Sequence, residues 1–404
     1  MLPVEVRNHH LRVKRGVERR KAALSMRAMT PRMLTLAALV FVSLAGVPAA
    51  IGQTTLDSGA ISANPLSAAQ ADNVSAFVKE RVADLRSGDP ERVRRARNDL
   101  TQPMLEAQAS VSLRQTFAQA LAGEKLAELA KDKNEVVAIN ALRNAGEVAT
   151  PEMFDIIRAQ LGENRSQVRY AAAFAAQRSF QQIAPASRGV AATANDLTDL
   201  IGAIGKRLAS EKETLVFDVL ARGLVDAVRI DRPRYESVRP AAMSELATAL
   251  GAKIKDLKPT DTDTIDTLLS VTTQLRDELS RNGAKMPEAS RNAAAVLGGQ
   301  TLAWIGRQAS ANVYPQIGRN EDKDVQAKKK ADRKHVVDLA RVAESVVIFA
   351  AAGAGQNVPA ANLGDALDQA TREGDARFLE QFRERIVVGV LTKAPFNASA
   401  DTFR

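Results

Sequence analysis

The sequence predicts an all-α protein built from antiparallel helical hairpins. Segments with helical apolar spacing are separated again and again by short polar breaks, which is typical of paired helices. The chain has no cysteine and only 4% aromatic residues, so neither disulfides nor zinc-thiolate sites can hold it together. Alanine, leucine and valine suit helices that pack at close range. We therefore expect an α-α superhelix of stacked hairpins, followed by a C-terminal helical bundle.

Residues 123–180 show the pattern most clearly, as helix, short turn and helix, repeated. Helical segments are predicted over 135–145, 152–161 and 166–180, with a further helix beginning at Gly123. In three places a short polar residue stands four positions before a valine, and we expect it to cap a helix: Asp89 before Val93, Asp132 before Val136 and Asn164 before Val168. Each repeat needs a neighbour to cover its other face.

The segment Asp89-Pro90-Glu91-Arg92-Val93-Arg94 resembles the HEAT-type helical repeat family, and the resemblance covers roughly residues 74–230. It implies a scaffold that binds other proteins on its concave face. Arg94, Arg143 and Arg169 could line that face, although arginines in such positions can equally brace neighbouring repeats. An irregular all-helical domain without a binding groove is the alternative.

The N-terminus predicts a secretory signal peptide over residues 1–52. Residues 1–32 are basic, residues 33–51 contain no charge, and small residues follow, which is the order of an export signal. Cleavage fits after Gly52 or Ala49, and translation could start at Met1, Met26 or Met29. We expect a periplasmic or extracellular protein. The alternative is a membrane anchor formed by an uncleaved segment 33–51.

The charge of the chain does not indicate nucleic-acid binding. The whole sequence has 56 basic and 47 acidic residues. Residues 1–52 hold nine of the basic and two of the acidic ones, so 47 basic and 45 acidic residues remain beyond Gly52. A nearly balanced chain with few aromatic residues lacks the electrostatic and stacking features that nucleic-acid binding needs.

The predicted elements follow in order. Residues 53–73 are rich in small polar residues and predict a flexible lead-in. Apolar periodicity then predicts helices over 74–85, 90–100, 112–121, 195–208, 213–228 and 241–257, with Leu215, Val219, Leu220 and Leu224 on one stripe. The arginine-rich stretch 229–239, with Tyr235 inside it, is expected to be a solvated linker between regions 74–230 and 241–394. Residues 395–404 predict a polar tail.

The second half carries further expectations. Thr260 and Asp263 are spaced as a capping box, with Thr260 as the cap of a helix that stops at Gly283. Residues 287–309 predict a helix that contains Trp304, the only tryptophan, as a core residue. Its Gly298-Gly299 pair should cost stability unless another helix packs tightly there.

Residues 312–331 are charged and predict an exposed loop that leads into a solvated helix start. Residues 335–352 predict a buried helix, and residues 362–371 and 375–391 predict a last pair. In that pair six apolar residues should face inward: Phe378, Leu379, Phe382, Ile386, Val387 and Val390.

Little in the chain points to catalysis, and we assign no catalytic, cofactor or metal residues. His335 is the only histidine beyond the leader, and a Ser-His-Asp triad would have to use it. Asp261, Asp263 and Asp266 lack the glycine and glutamate of a calcium loop. We therefore expect a non-enzymatic scaffold for a protein partner. The alternatives are an all-helical secreted enzyme that uses paired carboxylates on polysaccharide, and a structural envelope protein anchored by its N-terminus.

Overall fold

The computed structural model describes residues 54–318 and 320–404. The expected signal peptide, its cleavage sites and the alternative anchor lie outside the described residues. Across the described ranges the structure is helical and contains no strand. The helices are α1 Ser58–Ser62, α2 Ala68–Arg86, α3 Pro90–Leu105, α4 Val111–Gly123, α5 Leu126–Leu129, α6 Glu135–Val148, α7 Pro151–Gln160, α8 Ser166–Ile183, α9 Ala194–Ser210, α10 Thr214–Val228, α11 Val238–Asp256, α12 Ile265–Asn282, α13 Glu288–Ser310, α14 Lys323–Gly353, α15 Leu363–Asp368 and α16 Arg372–Gln381, which continues as a π-helix Phe382–Leu391.

The helices form two layers, and the chain alternates between them. One layer contains α2, α4, α7, α9, α11 and α13; the other contains α3, α6, α8, α10, α12 and α14. Within the second layer α6 packs on α8, α8 on α10 and α12 on α14, while α9, α11 and α13 pack in series in the first layer. Successive helices also pack across the layers, which confirms the predicted all-α stack of antiparallel hairpins.

The stretch 229–239 packs on the rest of the protein and hydrogen-bonds to it, so the expectation of a solvated linker is wrong. Tyr235 is only 1% exposed, and its hydroxyl donates to the carbonyl of Ala192 at 2.7 Å. Arg232 donates to the carbonyl of Ile183 at 3.0 Å, and the Arg234 guanidinium carbon lies 4.6 Å from the centre of the Tyr235 ring. Helices α9 and α10 pack on α11 directly, so residues 53–404 form one compact unit across this stretch.

Of the three predicted helix caps, one is confirmed. The Asp89 carboxylate accepts the backbone N–H three residues on, as a cap should. At α6 the cap is Asn134, because it stands immediately before the first helical residue, whereas Asp132 accepts only the Asn134 N–H. Asn164 does not cap α8 either. The Glu163 carboxylate accepts the Asn164 N–H at 2.9 Å instead.

Both ends of the described chain pack on the helices. Ala60 in α1 is fully buried, and the Thr54 N–H donates to the Glu80 carboxylate at 2.8 Å, so residues 54–67 are fixed to the first hairpin where a flexible lead-in was expected. Phe396 and Phe403 are buried at the other end. The C-terminal segment was expected to be a polar tail, but its two aromatic side chains pack into the core.

The expectation for 312–331 is confirmed, because residues 312–318 and 320–322 lie outside helices and are followed by the exposed start of helix α14. This helix runs unbroken for 31 residues from Lys323, and the Asp322 side chain caps it. Lysine is a good helix former, and no glycine or proline interrupts the sequence before Gly353.

The predicted capping box at Thr260 is wrong. A short 3-10 turn over Thr262–Thr264 precedes α12, and the Asp261 carboxylate accepts the Lys258 N–H.

The core of the second half agrees with expectation. Trp304 is fully buried and its indole N–H donates to the Lys258 carbonyl at 3.1 Å. A Cβ on Gly298 would lie 2.9 Å from the carbonyl oxygen of Ala343 in α14, so a helix does pack tightly there. Five of the six apolar residues predicted to face inward in the last pair are buried, and Leu379 is partly buried. The π-helix was not predicted.

Candidate functional site

Three neighbouring helices of the second layer present apolar side chains to solvent. Each exposes them in its N-terminal half: Val136 and Ile139 on α6, Tyr170 and Phe174 on α8, and Leu215 on α10. Leu215 is 73% exposed, Tyr170 38% and Val136 36%. Leu215 was predicted to join the buried stripe of α10, and this is wrong, because only Val219, Leu220 and Leu224 are buried.

All of these side chains except Val136 line a groove of about 470 Å³ across α6, α8 and α10, which we call the apolar groove. Its lining residues are Ile139, Arg143, Ser166, Gln167, Tyr170, Ala171, Phe174, Glu213, Leu215 and Val216. Two of these carry charge, Arg143 from α6 and Glu213 from the start of α10. A groove of this size with a few charged groups resembles a binding site more than a random surface depression.

A cluster of arginines lies beside the groove. Arg97 on α3 is partly buried and donates to the Asn140 side chain of α6 at 3.3 Å. Burial lowers the pKa of Arg97, and the neighbouring charges of Arg143 and Arg94 lower it further. Two of the three predicted partner-binding residues are thus brought together around Arg97, which sequence reasoning missed.

Arg169, the third predicted residue, lies apart from this cluster and is only 8% exposed. Its guanidinium binds the Glu211 carboxylate at 3.1 and 3.2 Å and the carbonyls of Glu163 and Asn164 at 2.9 and 2.8 Å. These contacts occupy the side chain, so Arg169 braces two repeats, as the alternative interpretation allowed.

A chain of polar contacts joins the C-terminal ends of the helices whose N-terminal halves line the groove. Arg178 donates to Glu147 at 2.7 Å, Gln181 to Asp226 at 2.8 Å, and Arg229 to Gln274 at 2.9 Å. Arg178 also binds Gln181, and Arg229 binds Asp226, so the chain runs through α6, α8, α10 and α12. Because these contacts join the helices without filling the groove, the groove is preformed.

Clusters of ionisable side chains outside the groove do not form a metal site among the residues that the structure describes. No three histidine or carboxylate side chains in the described ranges are placed to hold a metal ion. A pocket of about 280 Å³ brings Glu211 near Asp261 and Asp263. Burial alone would raise the pKa of Glu211, but hydrogen bonds from Arg169, Arg207 and two backbone N–H groups outweigh it and set that pKa to about 2. Glu211 therefore stays ionised and cannot act as a general acid.

His335 is exposed, and its Nδ1 lies 2.6 Å from a carboxylate oxygen of Asp266. The described helices include none that is long and apolar enough to cross a bilayer.

The groove had a signal in the sequence. Val136 and Ile139 are three residues apart, and Tyr170 and Phe174 are four apart, so each pair shares one helical face. On α6 and α8 these faces differ from the alanine-rich buried faces. A second apolar face on successive helices of a stack indicates a surface that something else could cover.

No protein-family model and no curated protein matches the chain. Among solved structures, it is similar to an engineered protein from a structural genomics consortium, with 17% identity and a TM-score of 0.38, over 68% of this chain and 97% of the other. It is also similar to a designed armadillo repeat protein, with 14% identity and a TM-score of 0.30, over 68% of this chain and 99% of the other. The two-layer architecture rests on the helix packing of this chain itself.

Proposed function

We propose that the chain is an exported, non-enzymatic scaffold of HEAT-like helical hairpins that holds a protein partner in the apolar groove. One observation carries the proposal: large apolar side chains stand uncovered in a preformed groove, next to clustered arginines. Burying a side chain such as Leu215 contributes about 1.5–3 kcal/mol, and the polar contacts at the C-terminal ends of the helices already join those that line the groove. Little ordering is needed before a partner binds.

The lining defines the partner's chemistry. An amphipathic helix would place apolar side chains at three- and four-residue spacing against Tyr170, Phe174 and Leu215. Acidic side chains at one end of that helix would meet Arg97 and Arg143. Arg97 has no carboxylate within ion-pair distance in the described part of the chain, so an acidic partner would supply its missing counter-charge.

The basic and apolar leader supports the exported location. The protein would be released into the periplasm or the extracellular space after cleavage, or held at the membrane by residues 33–51 if cleavage fails. N-terminal sequencing of the native protein from an envelope fraction separates these outcomes. A first residue after Ala49 or Gly52 indicates release, and an intact leader indicates the anchor. Recovery only from the cytoplasm contradicts export.

Photocrosslinking tests the groove. A photoreactive residue in place of Leu215 should capture a partner from envelope extract that the same residue in place of Val325 does not capture. Val325 is the matched control, since it is also an exposed aliphatic side chain, 45% exposed, but lies on α14. The captured protein should then bind the purified chain, and Leu215→Glu should weaken binding at least tenfold while Val325→Glu leaves it unchanged. Equal capture at both positions, or equal loss in both variants, rejects the groove as the binding surface.

A further inference from the structure

A second cavity lies at the C-terminal end of the stack and is independent of the apolar groove. Its volume is about 920 Å³, and it opens between α13, the π-helix and the final 3-10 turn. Its apolar lining comes from Ala303, Leu379, Phe382, Val387, Val388 and Phe403. Cavities of this size and apolar character commonly take small organic ligands.

The charged groups that line this cavity are all arginines: Arg307, Arg383 and Arg404. Two of them have carboxylate neighbours outside the lining. Arg404 lies 2.8 Å from Asp401, and Arg383 lies 3.6 Å from Glu384. Arg307 is therefore the arginine of this lining that has no Asp or Glu side chain within ion-pair distance in the described ranges.

Arg307 is the unusual member. It is partly buried, and its guanidinium donates to two backbone carbonyls, those of Ile254 at 3.0 Å and Arg404 at 3.2 Å. Within residues 54–318 and 320–404 no Asp or Glu side chain comes within ion-pair distance of it, so its partners are main-chain oxygens, one of them that of Arg404, the last residue of the sequence. Burial lowers its pKa, which reflects the cost of holding this cation away from water. Two carbonyl acceptors leave the rest of its five donors available.

The π-helix shapes the opposite wall. The Thr392 N–H donates to the Val387 carbonyl at 3.0 Å, five residues back. This wider turn leaves Val388 47% exposed at the cavity, while Phe382 and Val387 remain buried behind it. π-helical turns have less favourable hydrogen-bond geometry than α-turns and often occur at functional sites.

We propose that this cavity binds a single-chain amphipathic anion, with its carboxylate or phosphate head at Arg307 and its apolar body along Phe382, Val387 and Phe403. Charge complementarity selects this ligand class. A neutral apolar molecule would leave the three arginines of the lining without an anion in the cavity, and a small inorganic anion would leave the apolar walls in water. A planar guanidinium binds carboxylate and phosphate through paired hydrogen bonds.

Calorimetric titration of the purified protein tests the proposal with four probes: decanoate, decyl phosphate, decanol and inorganic phosphate. Decanoate and decyl phosphate should each bind saturably at one site. Decanol, which has the same chain without the charge, should bind roughly tenfold more weakly, and inorganic phosphate should not bind measurably. The tighter of the two anions tells whether the natural head group is a carboxylate or a phosphate. Equal binding of decanol and decanoate, or no saturable binding of either anion, overturns the proposal.

Substitutions of residues that line the cavity provide a second test. Arg307→Gln should weaken decanoate binding roughly tenfold. Arg222→Gln, which changes an exposed arginine on α10, should not. Because Arg307 also holds two backbone carbonyls, Ser310 gives an independent test, since it is exposed and lines the same cavity. Ser310→Lys should tighten binding of decanoate and Ser310→Glu should weaken it, with no change for decanol. If both Ser310 variants bind decanoate as the unaltered chain does, the head group does not lie at this part of the cavity lining.

Discussion

The N-terminal and C-terminal parts of this stack join their helices by different means. Between α3 and α10, buried arginines reach across hairpins: Arg114 binds backbone carbonyls of α3 and α6, and Arg169 binds the Glu211 carboxylate beyond α9. Between α13 and α16, glycines let backbones approach closely, as at Gly298 against α14 and at Gly353 against Gly283. The difference is one of degree, because Gly146 also approaches the α8 backbone within the first part.

The comparison explains why the two cavities differ. Arginine braces act at the ends of helices and leave the outer face of α6, α8 and α10 free, so that face keeps an open groove. In the C-terminal part, glycines let α13 pack closely on α14. The cavity there lies between α13, the π-helix and the final 3-10 turn, beside Arg307. The first site therefore suits an extended partner and the second a small ligand.

The largest effect should come from removing an arginine brace. Arg114 is 1% exposed, and it donates to the carbonyls of Met104, Glu147 and Val148 at the ends of α3 and α6. Arg114→Met leaves these acceptors unsatisfied, so we expect a loss of about 4 kcal/mol in the free energy of unfolding. Urea denaturation measures it.

The control for this variant is Arg94→Met. Arg94 pairs only with Glu91 on the surface of α3, so its removal should change stability by less than about 0.5 kcal/mol. A loss below about 1 kcal/mol in Arg114→Met would show that the arginine braces are dispensable and would remove the contrast between the two parts.

The next largest effect concerns Glu211, the carboxylate that pairs with Arg169. Its pKa is about 2 in the folded protein, below the ordinary value of about 4.5. A depressed carboxyl pKa gives stability that is fully present above the ordinary value and is lost as pH falls toward 2. The linkage amounts to about 3 kcal/mol. Glu211→Gln should therefore flatten the fall in stability between pH 4.5 and pH 2, measured by thermal melts at each pH.

Glu213→Gln is the matched control, because Glu213 is an exposed neighbour at the start of α10. It should retain the steep pH dependence of the unaltered chain. If Glu211→Gln melts with the same pH dependence as well, the Arg169–Glu211 contact does not carry the acid sensitivity.

The sequence predicts the existence of most helices but not how their ends are joined. Periodicity placed α6, α8 and α10 within a few residues, because buried alanine and leucine faces repeat at helical spacing. It assigned Arg169 to a partner surface because a sequence does not show that Glu211 folds back 42 positions away. It predicted 312–331 as a loop that leads into a solvated helix start, which is confirmed, but it did not show that this start continues without a break into the buried helix 335–352. The sequence contains the apolar residue pairs of the groove, but it does not show that they lie on the exposed face of their helices.

Glycine substitutions should change stability by a smaller amount and test the close packing of α13. A Cβ on Gly298 would meet the Ala343 carbonyl at 2.9 Å and Val347 Cγ2 at 3.0 Å. Backbone must move to admit it, so Gly298→Ala should cost about 2 kcal/mol despite the gain in helix propensity. Gly202→Ala in α9 is the counterpart, since a Cβ there meets nothing within 4 Å. It should stabilise by about 0.5–1 kcal/mol. Thermal melts that shift in the same direction for both variants contradict close packing at α13.

The smallest effect should come from His335, which joins α14 to α12 across the surface. Its side chain is 60% exposed and that of its partner Asp266 is 77% exposed, so solvent screens the pair. His335→Ala should therefore change the free energy of unfolding by less than about 0.5 kcal/mol. Added salt should remove even this small difference between the variant and the unaltered chain. A double-mutant cycle with Asp266→Ala isolates the pair. A coupling above about 1.5 kcal/mol would show that α12 and α14 depend on an ionic contact as the first part does. A small coupling would show that the contact of α12 with α14 depends on packing and not on this surface pair.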